Sequence, residues 1–132
     1  MPATAHQSAQ KSAQQANANV KVLYAESDEH TLSAQAAEMT KAGHHLTTAT
    51  SRQAVMEALR HDSFDLVILG ATLSKDDRHH LPYMVKKAHQ GTKVLVMHAG
   101  THHHEVDAAV DPTMSMHRIL EKIAALLQSA RV

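Results

Sequence analysis

The side chains best suited to chemistry in this sequence are carboxylates and histidines that follow short apolar runs. Glu26 and Asp28 come directly after one run, and His98 comes directly after another. Neutral imidazole and carboxylate groups suit Zn²⁺ and similar ions, and histidine titrates near neutral pH. If the runs are parallel strands, their ends predict a metal- or pH-responsive site formed by Glu26, Asp28 and His98, with Asp111 as a further member.

Histidine is unusually frequent, since its 13 copies equal the number of Asp and Glu residues together. A run of three lies just beyond His98, and two methionines follow it, so we consider this stretch a candidate partner surface. Its members are His102, His103, His104, Met114 and Met116. The plainer interpretation is solvated loop surface, and both interpretations stay open.

Short aliphatic runs alternate with stretches of helical apolar spacing, which predicts a parallel sheet with helices on both faces. The five runs cover residues 20–25, 46–50, 65–69, 93–97 and 108–110. Leu, Val, Ile, Ala and Met must build the core, because the chain has only two Tyr, one Phe and no Trp. Ligands of such sheets bind beyond the carboxyl ends of the strands.

Local signals predict where several helices begin and end. Ser27 and Ser51 are expected N-caps, and Gly43 is an expected helix stop. Residues 70–78 are expected to form a polar loop, with Pro82 in the first turn of the helix that follows.

The composition excludes several classes of protein. The chain has no cysteine, so disulfides and thiolate metal sites are excluded, and no apolar run approaches the length of a membrane span. Positive and negative side chains balance, and no basic stripe predicts nucleic-acid binding.

Residues 1–19 lack Leu, Ile and Phe and predict a flexible tail before a single domain over 20–132. A cytoplasmic location is expected.

From Lys21 to about Leu127 the sequence resembles a response-regulator receiver domain of the CheY-like type. The segments that carry the resemblance are 21–28, 43–49, 64–69 and 93–97. The resemblance implies a flavodoxin-like, doubly wound α/β fold with five parallel strands in the order 2-1-3-4-5. The family's fourth helix is expected to be shortened or remodelled. Either it shrinks to a turn before a strand at 108–110, which we favour, or 101–110 is helical and the strand shifts to 111–116.

The family's chemical positions are altered in this sequence. Receivers carry two adjacent carboxylates after the first strand to hold Mg²⁺, whereas this sequence has Glu26 and Ser27, with Asp28 as the residue that would compensate. The phosphoacceptor aspartate corresponds to Gly70, which cannot form an acyl phosphate. The family's switch Ser/Thr, which follows the fourth strand, corresponds to His98. The lysine that the family carries at the end of the fifth strand corresponds to Asp111.

The resemblance therefore implies a degenerate phosphorylation pocket formed by Glu26, Ser27, Asp28, Gly70, His98 and Asp111. Asp76 and Asp77 lie in the expected loop and are interpreted as solvated acids rather than as a displaced phosphoacceptor. Mg²⁺ binding is expected to be weak or absent, a transition metal stays open, and no other cofactor is expected.

The function implied is that of a stand-alone, atypical receiver-like domain of a bacterial two-component-type pathway. We expect it to act through phosphorylation-independent binding to a kinase, signalling or regulatory protein, as a monomer or weak homodimer. A metal or proton sensor that uses the histidine-rich pocket and loop is the alternative. The chain is not expected to be an enzyme, because four glycines supply no phosphate-binding loop and no nucleophile elbow is present.

Overall fold

The computed structural model describes residues 20–98 and 104–131, and the last three of these as backbone only. This part of the chain contains five strands and four helices. The strands are β1 (Lys21–Ala25), β2 (His45–Ala49), β3 (Leu66–Leu69), β4 (Lys93–Val96) and β5 (Ala108–Ala109). The helices are α1 (Glu29–Lys41), α2 (Arg52–His61), α3 (Lys75–Ala88) and α4 (Met116–Arg131).

The strands form one parallel sheet in the order β2-β1-β3-β4-β5, which confirms the predicted fold. Successive side chains of a strand point to opposite faces, so β1 contributes to two cores. Val22 and Tyr24 pack with α1 and α4, whereas Leu23 and Ala25 pack with α2 and α3. Because both faces are covered, β3 is buried at every position.

Two of the expected helix signals are confirmed. The hydroxyl of Ser51 accepts a hydrogen bond from Ala54 N at 3.0 Å and caps α2. Gly43 ends the turn after α1 with a φ of +98°, a left-handed conformation that glycine adopts without strain.

The prediction for the start of α1 was wrong, because Asp28 and not Ser27 caps this helix. The carboxylate of Asp28 accepts from both the backbone N and the hydroxyl of Thr31, at 2.9 and 2.6 Å. An ionised cap satisfies two donors and interacts favourably with the positive end of the helix dipole.

The prediction for α3 was also wrong, because this helix begins earlier than expected. Ser74 caps it by accepting from Asp77 N at 3.1 Å, so Asp76 and Asp77 lie in its first turn and not in a loop. Pro82 lies inside the helix rather than in the first turn. The signal was missed because an N-cap serine followed by two acids opens a helix as well as it occupies a loop.

Two alternatives were predicted for the region after β4, and the structure confirms the one with a strand at 108–110. Ala108 and Ala109 pair in parallel with Leu95 and Val96 of β4. Between the two strands, residues 97–98 and 104–107 contain no helix, and residues 99–103 lie outside the described residues.

Asp107 fastens this short edge strand to the sheet. Its backbone N donates to Val94 O at 2.8 Å, and its carboxylate accepts from Val94 N at 2.8 Å and from Lys86 Nζ at 2.8 Å. Since β5 has two residues, these contacts carry much of its attachment to β4.

We predict that Asp107→Asn lowers the free energy of unfolding by about 2 kcal/mol. The reason is that the half-buried carboxylate accepts hydrogen bonds from Lys86 Nζ and Val94 N, and a neutral amide loses or weakens them. Urea denaturation monitored by circular dichroism measures the change. Glu38→Gln, at an exposed position of α1, is the matched control and should change stability by less than about 0.5 kcal/mol. Equal effects of the two substitutions would contradict the role of Asp107.

His44 follows α1 and lines a groove against α4, together with the titratable side chains His117 and Glu121. Its Nδ1 atom is buried and has no hydrogen-bond partner among the described residues. Burial lowers the pKa of the His44 imidazole below its ordinary value of 6.5, because a desolvated ring disfavours the charged form.

A depressed histidine pKa makes stability depend on pH in a defined direction. Below pH 6.5 the unfolded chain takes up a proton at His44 more readily than the folded chain, so stability falls as pH decreases from 6.5 toward the folded pKa. We predict that His44→Gln reduces the loss of unfolding free energy between neutral and mildly acidic pH. The exposed His45→Gln is the control, and identical pH slopes for wild type and His44→Gln would overturn this prediction.

Candidate functional site

Backbone pairing continues one residue past the strand ends and brings Glu26 beside Gly70. Glu26 N donates to Ala49 O at 3.1 Å, and Gly70 N donates to Ala25 O at 2.8 Å. Both residues therefore lie at the carboxyl edge of the sheet, where ligands of such folds bind. Glu26 and Gly70, two of the six residues of the predicted pocket, are thus neighbours at this edge.

The side chain of Glu26 is completely buried, with a relative exposure of 0%. One carboxylate oxygen, Oε1, accepts from the backbone N and the hydroxyl of Thr72 at 2.9 and 2.6 Å. The other oxygen, Oε2, accepts from the Tyr24 hydroxyl at 2.5 Å. Three donors thus meet both oxygens, an arrangement that suits a group able only to accept.

The carboxylate of Glu26 occupies the space that a side chain at position 70 would need. A Cβ atom added to Gly70 would lie 1.9 Å from Glu26 Cδ and 2.1 Å from each of its oxygens. Contacts of this length force a shift, so the observed position of the Glu26 carboxylate is compatible only with glycine at position 70. The space beside Gly70 is thus filled by the carboxylate of Glu26, the residue that follows β1.

Tyr24 connects this carboxylate to α1. Its hydroxyl also contacts Oε1 of Gln35, and because a hydroxyl has one proton it donates to only one of the two oxygens at a time. Burial, followed by the hydrogen bond to Glu26 and the charge of Glu26, raises the pKa of the Tyr24 phenol above its ordinary range. The phenol therefore stays protonated and remains a donor.

Thr72 connects the same carboxylate to the start of α1. Its hydroxyl donates to Glu26 and accepts from Asp28 N at 3.0 Å. The side-chain and backbone hydrogen bonds from Thr31 lower the pKa of Asp28, so this exposed carboxylate is ionised at neutral pH and engaged as a helix cap. Asp28 is thus not turned toward Glu26 as a second ligand.

His98 and Asp111 lie at the exposed side of the strand ends. Asp111 accepts from the backbone N and hydroxyl of Thr113 at 2.8 and 2.7 Å, and these bonds lower its pKa with a smaller contribution from the charge of His98. His98 and Asp111 are therefore near each other, and neither appears among the hydrogen-bond partners of Glu26 in the described part of the chain.

The donor set does not fit a metal ion of the kind held by the receiver family. Glu26 has both oxygens engaged, Ser27 is exposed, and Asp28 caps a helix. Within residues 20–98 and 104–131, no group of three or more His, Asp or Glu side chains could hold a metal ion. The candidate metal site of Glu26, Asp28 and His98 is not assembled there.

The candidate partner surface is only partly described. His102 and His103 lie outside the described residues. His104 is exposed and lies 3.5 Å from the carboxylate of Glu105. Met114 and Met116 are half-buried and pack against the core beside α4, so they offer less exposed apolar area than the sequence suggested.

Sequence reasoning missed Tyr24, Gln35 and Thr72, which complete the site. Tyr24 was assigned to a strand without a polar role, and no role was predicted for Gln35. One signal was available: a glutamate and a glycine end two neighbouring strands, and a buried carboxylate needs both space and donors.

The sequence matches no protein-family model and no curated protein. Solved structures share its fold. A CheY-like response-regulator receiver domain protein from Methanospirillum hungatei has a TM-score of 0.75 and 16% identity, over 85% of this chain and 96% of that one. The response regulator TrrA from Thermotoga maritima, solved in complex with Mg²⁺ and BeF, has a TM-score of 0.71 and 16% identity, over 81% and 98%.

A protein described as an adenylate cyclase from Rhodopirellula baltica is also similar, with a TM-score of 0.72 and 12% identity, over 83% of this chain and 88% of that one. The differing names of these proteins agree with the general rule that a fold hosts several functions. The likenesses show that this chain has the CheY-like receiver fold. None of the described helices is long and apolar enough to cross a membrane.

We predict that Gly70→Ala lowers the free energy of unfolding by about 3 kcal/mol, because the new methyl group overlaps the Glu26 carboxylate in a closely packed site. Gly91→Ala is the matched control, since a Cβ at position 91 meets nothing within 4 Å. It should change stability by less than about 0.5 kcal/mol. Urea denaturation of both variants measures the difference.

The double variant Glu26→Ala/Gly70→Ala separates direct overlap from a general intolerance of position 70. Glu26→Ala alone is destabilising because it removes the acceptor for Tyr24 and Thr72. On that background, Gly70→Ala should cost less than about 1 kcal/mol. An undiminished cost of Gly70→Ala in the absence of the Glu26 carboxylate would contradict the proposed overlap.

Proposed function

We propose that this chain is a receiver-like signalling domain that acts by binding another protein without being phosphorylated at the receiver pocket. One observation carries the proposal: the buried Glu26 carboxylate fills the space above Gly70, where the family places its phosphoacceptor. A phosphoryl group would need a carboxylate from position 70 and open space around it, and this site offers neither.

The surroundings of the Glu26 carboxylate support the proposal that Glu26 is not phosphorylated either. It is closed off from solvent, and Tyr24 and Thr72 already occupy both of its oxygens. A phosphodonor would have to break these hydrogen bonds before reaching an oxygen atom. Asp76 and Asp77 do not replace it, because they belong to the first turn of α3 and Asp77 pairs with Arg52 at 2.7 Å.

A domain that is not phosphorylated still has a folded surface that another protein can bind. The fold is retained with its two cores intact, and the Glu26 carboxylate is held by hydrogen bonds from Tyr24 in β1 and from Thr72 in the loop after β3. We infer that a kinase, signalling or regulatory protein recognises a permanent surface of this domain in the cytoplasm. On this proposal the domain catalyses no reaction.

The alternative of a metal or proton sensor stays a prediction. The described histidines do not form a metal-binding group with acids, and His102 and His103 lie outside the described residues. The buried imidazole of His44 is the described feature that favours a response to pH, and its effect is expected on stability rather than at the pocket.

The proposal is tested by NMR titration of the isotopically labelled chain with Mg²⁺ and then with beryllofluoride. We predict that the amide resonances of Glu26, Gly70 and Thr72 do not shift in a localised, saturable manner. The receiver TrrA from Thermotoga maritima, which was solved with Mg²⁺ and BeF, is the positive control under the same conditions. Saturable shifts around Gly70 in this chain would overturn the proposal.

A further inference from the structure

An exposed aromatic side chain stands out on the surface of α3. Tyr83 is 48% exposed and is the one large hydrophobic side chain exposed in the described part of the chain. Tyr24 and Phe64, the other aromatic residues, are buried. A tyrosine presents a rigid apolar ring with a polar end, and such residues are enriched where proteins bind one another.

A histidine and a lysine flank this ring along the helix. The His80 ring lies 6.1 Å from the Tyr83 ring between centroids, and Lys87 Nζ lies 6.0 Å from the Tyr83 centroid. The three residues are three and four positions apart, so they share one face of α3. Lys87 is exposed and, unlike Lys86, forms no ion pair with an acid among the described residues.

The second half of α3 carries no acidic side chain. From His79 to the end of α3 the sequence contains no Asp or Glu. The acids of the helix are confined to its first turn, where Asp77 is paired with Arg52. Lys86 and His89 face other parts of the molecule, since Lys86 binds Asp107 and His89 Nε2 lies 3.1 Å from Leu59 O. His80, Tyr83 and Lys87 are exposed and form one group on this part of α3.

We propose that the α3 face formed by His80, Tyr83 and Lys87 is the docking surface for an acidic peptide segment of a partner protein. The partner's carboxylates would pair with Lys87 and accept a hydrogen bond from the His80 ring, while its apolar atoms would cover the Tyr83 ring. Electrostatic complementarity of this kind fixes the orientation and speeds association. The inference rests on the proposed function, because a domain that acts by binding needs such a surface.

The test is an NMR titration of the full chain with a short, amidated oligoglutamate peptide. We expect saturable shifts centred on His80, Tyr83 and Lys87 that weaken at high salt, since exposed charges are screened. Tyr83→Ala and Lys87→Glu should each weaken binding by about tenfold. Lys41→Glu, which changes the same charge at an exposed position of α1, is the matched control and should leave the shifts at α3 unchanged.

Three results of the peptide titrations would overturn the inference. They are an absence of shifts, equal binding of an oligolysine peptide, and equal weakening by Lys41→Glu, which would indicate net charge alone. Saturable binding of a single-stranded oligonucleotide in place of oligoglutamate would also overturn it and would assign the face to nucleic acid. The pocket titration with Mg²⁺ and beryllofluoride reports on different residues, so failure of this surface and failure of the proposed function are distinguishable.

Discussion

The packing of the Glu26 carboxylate against Gly70 is the constraint on which the functional end of this molecule depends. A buried carboxylate is costly unless its oxygens are hydrogen-bonded, and here Tyr24 and Thr72 supply the donors. The space for the carboxylate exists only because position 70 has no side chain. The position of the Glu26 carboxylate therefore depends both on the donors Tyr24 and Thr72 and on the space beside Gly70.

This arrangement extends from the pocket into the neighbouring elements. Through Thr72 the carboxylate is connected to Asp28 and the beginning of α1, and through Tyr24 it is connected to Gln35 in the middle of that helix. The loop after β3 and the N-terminal half of α1 are thus held by one network. In a sheet whose ligand edge is usually open, these contacts fill the edge beside Gly70 with the protein's own side chains.

The fold could be predicted from the sequence because its signals are local and redundant. Aliphatic runs, such as 66–69 and 93–96, alternate with helical patterns, and residues such as Ser51 and Gly43 mark helix ends. The errors at Ser27 and Pro82 have different causes: two neighbouring residues could cap α1, and the start of α3 is as polar as a loop. Asp28 follows Ser27 directly, and the chain between Gly70 and Leu81 is as polar as a loop although α3 begins within it.

The site could be predicted only in part, because its geometry depends on contacts between distant segments. The loss of a side chain at Gly70 is visible in the sequence, but the inward turn of Glu26 is set by Thr72 and Tyr24, and the spacing of these residues does not specify their contacts. The sequence suggested that Glu26, Asp28 and His98 converge on an ion. In the structure each is engaged locally or turned outward, since a helix cap and a buried hydrogen-bond network satisfy the acids more directly.

The central claim is that no carboxylate at this pocket accepts a phosphoryl group. Intact-mass spectrometry after incubation of the protein with Mg²⁺ and acetyl phosphate, a small acyl-phosphate donor, tests it most directly, because acyl phosphates are recognised by their removal with hydroxylamine. The account predicts an unchanged mass under conditions that modify TrrA. A hydroxylamine-sensitive gain of one phosphoryl group, mapped to Glu26 or to Asp28, Asp76 or Asp77, would contradict it.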